Sequence, residues 1–201
     1  MNSACYRKEI FAEQVPLVYR FAMHLLHHRA LSGAFAGRKF CSSFWFDTAN
    51  AHILQAFIYW CMVFGNHDSN KKTHWKKLAV GSTDTLRISF RKGVCEHLRI
   101  TEAEWDSYQF DMVTFRNKFV AHRDFAIPRP VPVLDRALEV AFFYDSWVRQ
   151  LISPDILDVR PLREIYEETI PVITLEVASA VGASAAEPIV AGLRNKAAQR
   201  P

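Results

Sequence analysis

Apolar positions recur at gaps of three and four along most of this chain, and the elements they predict are helices. The first is predicted over residues 9 to 31, where Ile10, Val15, Val18, Phe21, Leu25 and Leu26 form a stripe. Pro16 falls inside it, so that helix starts near the proline or kinks there. Residues 32 to 44 are rich in Gly and Ser and read as a loop. Asp47 or Thr48 is placed to cap a second helix, which Gly65 stops. Its stretch from 53 to 64 is apolar nearly all round, and such a helix belongs at the centre of a bundle or at a subunit interface. A shorter helix is predicted over 84 to 98. Thr101 followed by Glu104 is a capping box, and it launches a helix over 102 to 122 with Trp105, Tyr108, Met112, Phe115 and Phe119 on its apolar stripe. Pro128, Pro130 and Pro132 mark an extended linker. Helices follow over 134 to 152 and from Leu162 towards Leu175, the latter opened by Pro161 and bent or interrupted at Pro171.

The pattern therefore predicts an all-α fold. Residues 1–128 form a helical core, 133–176 add helices packed on the same domain, and 177–201 are an Ala-rich tail expected as a loosely held helix or a weakly ordered segment. Half of the 201 residues are apolar, with 15 Phe and 5 Trp against 7 Gly, which suits a packed globule rather than a disordered chain. The net charge of +4 permits an RNA partner without requiring one. Cys5, Cys41, Cys61 and Cys95 are scattered and form no paired-cysteine metal motif, as expected for reduced structural thiols. The first residues carry no apolar signal core and the 53–64 stretch is too short to cross a bilayer, so a cytoplasmic protein with no membrane partner is expected.

Three groups of residues are candidates for chemistry. His24 and His28 lie four apart on one helix face, but no third ligand is evident, so no metal is assigned. Residues 66 to 78 carry the densest charge, including His74, Lys76 and Lys77 beside Trp75. They read either as a solvated loop with a short exposed helix, or as a rim that holds an RNA backbone and stacks a base. Arg116, Asn117, Lys118, His122 and Arg123 crowd the segment TFRNKFVAHRD at residues 114 to 124. Helix-dipole pairing accounts for basic groups at the very end of that helix, but Arg116 and Asn117 lie a turn and a half earlier.

The segment RNKFVAH resembles the motif of the HEPN superfamily, in which an arginine, a polar neighbour and a histidine form a ribonuclease site. Arg116 matches the arginine, Asn117 the polar neighbour and His122 the histidine, with five residues between Arg and His. The wider stretch from about 45 to 125, through WCMVFG, THWKKL and FRNKFVAHRD, looks like the abortive-infection branch of that superfamily. The resemblance implies a helical bundle of about five to seven helices, a homodimer with two motifs in one cleft, and metal-independent RNA cleavage with no cofactor. The residue types suit that chemistry. A histidine near its ordinary pKa of about 6.5 can take or give a proton at neutral pH. A fixed guanidinium can stabilise a dianionic phosphorane through paired hydrogen bonds. Arg116 is then the stabiliser, His122 the acid/base, and Asn117 an orienting group. Lys118 and Arg123, with His74, Lys76 and Lys77, would hold RNA backbone. On an ideal helix Arg116 and His122 point about 120° apart, so either the helix ends before His122 or a second subunit completes the site.

In HEPN toxins silenced by modification, a tyrosine follows two positions after the histidine; here that position is Asp124. That control is in doubt, while an antitoxin or other regulatory partner stays open. Two other readings remain: a non-catalytic HEPN-like module that binds RNA, a nucleotide or a protein, and a purely structural helix C-terminus.

Overall fold

The computed structural model describes residues 8–35, 43–78, 84–120, 131–151 and 160–185. Among them it is all-α: six α-helices and no strand. They are α1 (Lys8–Phe35), α2 (Phe44–Phe64), α3 (Asp84–Leu98), α4 (Glu102–Phe115), α5 (Leu134–Leu151) and α6 (Leu162–Ala185). A 3₁₀ turn at Trp75–Lys77 follows α2, and a π-helical turn at Arg116–Val120 continues α4.

As its apolar circumference requires, α2 lies inside the bundle. It packs along α1 and touches α4 and the π turn, while α6 runs beside α1 and α3 beside α5. Trp60, Phe57, Phe64, Phe90, Trp75, Trp105 and Tyr144 are almost fully buried and form one aromatic core. Trp75 stacks on Phe90 with ring centroids 4.0 Å apart, so it is not the exposed base-stacking tryptophan expected from its polar neighbours. Between α3 and α5 the fit is close: a Cβ on Gly93 would sit 2.5 Å from Cζ of Phe143.

Several boundaries differ from the sequence pattern. α1 starts at Lys8 and runs through Pro16, whose missing N–H costs one hydrogen bond inside a helix held on two sides by α2 and α6. α2 starts at Phe44, with Ser43 at its N-cap and no side-chain cap; Asp47 and Thr48 lie in its first turns, Thr48 Oγ1 donating to the Phe44 carbonyl at 2.7 Å. α6 continues through Pro171 to Ala185, where Val181 is buried against Leu31 and Ala49. The part of the predicted tail up to 185 is thus helix, and 186–201 lie outside the described residues. The capping box is present as expected: Glu104 N–H donates to Thr101 Oγ1 at 3.2 Å, and Thr101 N–H to Glu104 Oε2 at 2.8 Å. α3 ends in a Schellman motif with Ile100 N–H on the Cys95 carbonyl and Arg99 N–H on that of Glu96, and Arg99 takes the left-handed position at φ 56°. Among the described residues, no helix is long and apolar enough to cross a membrane.

Candidate functional site

α2 and α4 pass each other with a readable register. Gln109 Nε2 donates to the carbonyls of Phe64 and Gly65, Cys61 Sγ donates to the Met112 carbonyl at 3.7 Å, and the Phe57 and Phe115 rings lie 4.4 Å apart. This register brings the motif against the middle of α2. At Arg116 the α-helical pattern gives way to a turn in the wider i→i+5 register, a deformation that concentrates at functional sites. Phe119 of that turn stacks on Phe115 at 5.1 Å.

Arg116 is half-buried, and its guanidinium lies beside the Cys61 thiol. Burial pushes that thiol up to about 12 even against the pull of Arg116. Cys61 is therefore neutral near pH 7 and does not compensate the arginine charge. Arg116 Nε is buried and has no hydrogen-bond acceptor. Among the described residues Arg116 pairs with no carboxylate, whereas Arg29, Arg91, Arg149, Arg160 and Arg163 each do. Asn117 and Lys118 follow on the turn and are exposed. His122 and Arg123 lie outside the described residues.

The second predicted group is placed differently. The loop after α2 folds back over the helix end and satisfies its last carbonyls. Asn70 Nδ2 donates to the Cys61 carbonyl at 3.1 Å, and Thr73 Oγ1 to that of Met62 at 2.8 Å. His74 is buried; Lys76 N–H donates to its Nδ1 at 3.1 Å, so its proton is on Nε2, which lies 3.0 Å from the Gly65 carbonyl. Burial, helped by the nearby Lys76, His67 and Lys77, holds its pKa down to about 3 against the pull of the Gly65 carbonyl. This corrects the expectation for His74: the ring is a neutral clasp inside the protein and does not reach an RNA backbone. The clasp extends inward, because Gln14 Nε2 donates to the His74 carbonyl at 2.9 Å and Tyr144 donates to Gln14. Lys76 and Lys77 are half-exposed. Burial and the neighbouring Arg87 and Arg91 lower the pKa of Lys76, whose ammonium sits over the Trp75 ring at 5.7 Å. Along α2, Gly65, which His74 clasps, and Cys61, beside Arg116, are four residues or roughly 6 Å apart.

Next to the motif turn lies a cavity of about 540 Å³ between α2 and the π turn. Phe57, Phe115 and Phe119 line it from within, Phe46 from the rim, and Asp47, Asn50 and His28 supply polar groups. His28 Nδ1 lies 2.9 Å from the Ala49 carbonyl and therefore carries the proton, which leaves Nε2 as an acceptor. The sequence signal for this edge is the pair Asp47 and Asn50, one turn apart, heading the face that continues to Leu54 and Phe57. On the neighbouring face of α1, His24 Nδ1 and His52 Nδ1 are 2.9 Å apart and His27 packs edge-on against His52. Burial lowers the pKa of all three, that of His52 to about 4. His52 is the neighbour of His24 that the sequence left unidentified, yet among the described residues no three side chains form a group that could hold a metal.

No protein-family model, curated protein or solved structure matches the chain.

Proposed function

We propose that the chain is a metal-independent endoribonuclease of the HEPN type, acting as a homodimer in the cytoplasm. The observation that carries this reading is Arg116: a half-buried guanidinium with no carboxylate partner among the described residues and an orphaned Nε, in a π turn that also presents Asn117. Withdrawing a cation from water without an anion is unfavourable. A phosphate group resolves that imbalance, and a phosphorane carrying more negative charge resolves it better, which favours the transition state over bound substrate.

In the reaction a histidine takes the proton of the ribose 2′-hydroxyl as its oxygen bonds to phosphorus. A second protonated group gives a proton to the departing 5′-oxygen as the P–O bond breaks, leaving a 2′,3′-cyclic phosphate and a 5′-hydroxyl. His122 is the acid/base group in this reading. His74 is locked neutral inside the protein, so the second copy of His122 is the natural source of the other proton in a dimer. Lys118 and Arg123 hold backbone nearby, and Lys76 and Lys77 extend that contact. A toxin or phage-defence role, restrained by an inhibitory partner, belongs to the same reading.

The test is incubation of purified protein with total RNA in EDTA, beside Arg116→Met and His122→Ala variants. Cleavage by wild type alone, with cyclic-phosphate ends, supports the proposal. Equal cleavage by all three places the activity elsewhere. A folded wild type that binds RNA without cutting it moves the function to a non-catalytic RNA-binding module.

A further inference from the structure

The cavity beside the motif turn has a composition that core packing does not require. Its walls are aromatic: Phe57 and Phe115 lie 4.4 Å apart and Phe119 stacks on Phe115. Phe46 stands at the rim and is 63% exposed, which leaves one ring free to cover an occupant. Its volume of about 540 Å³ falls within the roughly 300–1,000 Å³ of sites for small flat ligands. The polar groups are confined to one edge. The Asp47 carboxylate and the Asn50 amide form no side-chain hydrogen bond among the described residues, and His28 offers Nε2 as an acceptor.

We infer that this cavity receives one unpaired base of the RNA strand whose backbone lies on Arg116, and that Asp47 selects guanine. The inference rests on the nuclease reading for the strand that brings the base there. Phe57 lines the cavity and Cys61, one turn further along α2, lies beside the Arg116 guanidinium. The aromatic wall thus begins about 6 Å along the helix from Arg116, and Asp47, fourteen residues before Cys61 on α2, lies about 21 Å away. The base read at Asp47 is therefore about three nucleotide steps from the phosphate on Arg116. Base faces stack on aromatic rings, and single-stranded RNA is read at base edges splayed out of the stack. A carboxylate accepts only, so it favours an edge with two adjacent donors. Guanine alone among the four bases has one, its ring N1–H beside the exocyclic amine.

The sign of the effect separates base reading from simple charge. Asp47 is acidic, and removing an acidic group near bound RNA raises affinity for every sequence if only the backbone is sensed. The experiment measures fluorescence anisotropy of labelled short oligouridines, each carrying one internal adenosine, cytidine or guanosine, with the full chain bearing His122→Ala to prevent turnover. A tighter complex is expected with the guanosine probe, and Asp47→Asn lowers that affinity by about tenfold while leaving the other probes unchanged or tighter. Phe119→Leu weakens all probes by loss of stacking. Guanosine monophosphate competes only weakly if the site is built for a base on a strand; competition equal to that of the oligonucleotide assigns the cavity to a free nucleotide instead. If Asp47→Asn shifts every probe alike, the base pocket is overturned, and it falls too if the probes do not bind. Cleavage assays with Asp47→Asn keep the two failures apart. Undiminished, unselective cutting by this variant and by wild type leaves the nuclease standing without the pocket. Guanosine-selective binding without cutting leaves the pocket standing without the nuclease.

Discussion

Nε2 of His74 lies 3.0 Å from the carbonyl oxygen of Gly65, and this bond closes the loop after α2 onto the helix it leaves. The position of Gly65 is fixed from the other side, because a Cβ there would meet the Cys61 carbonyl at 2.5 Å. The imidazole is protonated on Nε2 alone, since Nδ1 accepts from Lys76 N–H. Adding a proton at Nδ1 breaks that contact and places a charge in the core. The folded-state pKa of about 3 lies below the ordinary value near 6.5, so the unfolded chain binds the proton first as pH falls. The stabilisation is complete above pH 6.5 and is lost as pH drops towards 3. Between pH 7.5 and 5 the loss from this residue is about 2 kcal/mol. Urea unfolding across that range is expected to show the decline in wild type and a shallower slope in His74→Asn, from a lower starting stability. An unchanged slope in the variant assigns the pH dependence to other groups, His52 first among them.

Arg99 occupies the left-handed position that ends α3, with φ at 56°. Side chains with a Cβ are disfavoured there by roughly 1 kcal/mol, and glycine is the usual occupant. Arg99→Gly is expected to raise the urea midpoint by an amount equivalent to about 0.5–1 kcal/mol, less whatever the more flexible unfolded chain gives back. A lower midpoint means that the arginine side chain makes a contact whose value exceeds the strain.

Val181 is fully buried, although α6 around it is Ala-rich and exposed. It meets Leu31 near the end of α1 and Ala49 near the start of α2. Val181→Ala is expected to cost about 1–2 kcal/mol in urea unfolding, the scale of losing two buried methyl groups and leaving part of the space empty. Ser184, exposed on the same helix with its hydroxyl bonded to the Ala180 carbonyl, serves as the control, and Ser184→Ala changes stability little. Equal effects at the two sites mean that the end of α6 does not dock.

Signals carried within a few residues were legible in the sequence. Thr101 and Glu104 need only each other to mark the start of α4, and Pro161 marks that of α6. Signals that depend on distant partners were not. Trp75 sits among lysines and reads as exposed, but its ring is covered by Phe90 from α3. His74, Asn70 and Thr73 look like a polar loop because their acceptors, the final carbonyls of α2, have no signature in side-chain chemistry. Val181 becomes an anchor only once α1 and α2 are in place. For the candidate site, the excess of basic groups singled out Arg116. Its direction was hidden, because a periodicity reading assumes α-helical steps and the chain changes register at that residue.

That direction sets stability against function at Arg116. Its Nε is buried without an acceptor and, among the described residues, its charge meets only the neutral Cys61 thiol, so the folded chain carries a desolvation cost that a weak thiol contact offsets little. Methionine keeps an unbranched stem of similar length and removes the charge and the orphaned donor. Arg116→Met is expected to leave stability unchanged or raise it by about 1 kcal/mol. A residue kept for its bond to Cys61 would behave oppositely, with a melting temperature several degrees lower. Under the proposed nuclease reading the same variant loses RNA cleavage by at least a hundredfold, since removing one donor to a developing anion costs about that much. Arg116→Lys separates charge from geometry: it restores the cation but not the paired hydrogen bonds, and recovers binding more than turnover. Melting curves and cleavage rates measured on the same preparations decide the point. A stable, inactive Arg116→Met protein identifies a side chain held for phosphate, and an unstable one identifies a side chain held for the fold.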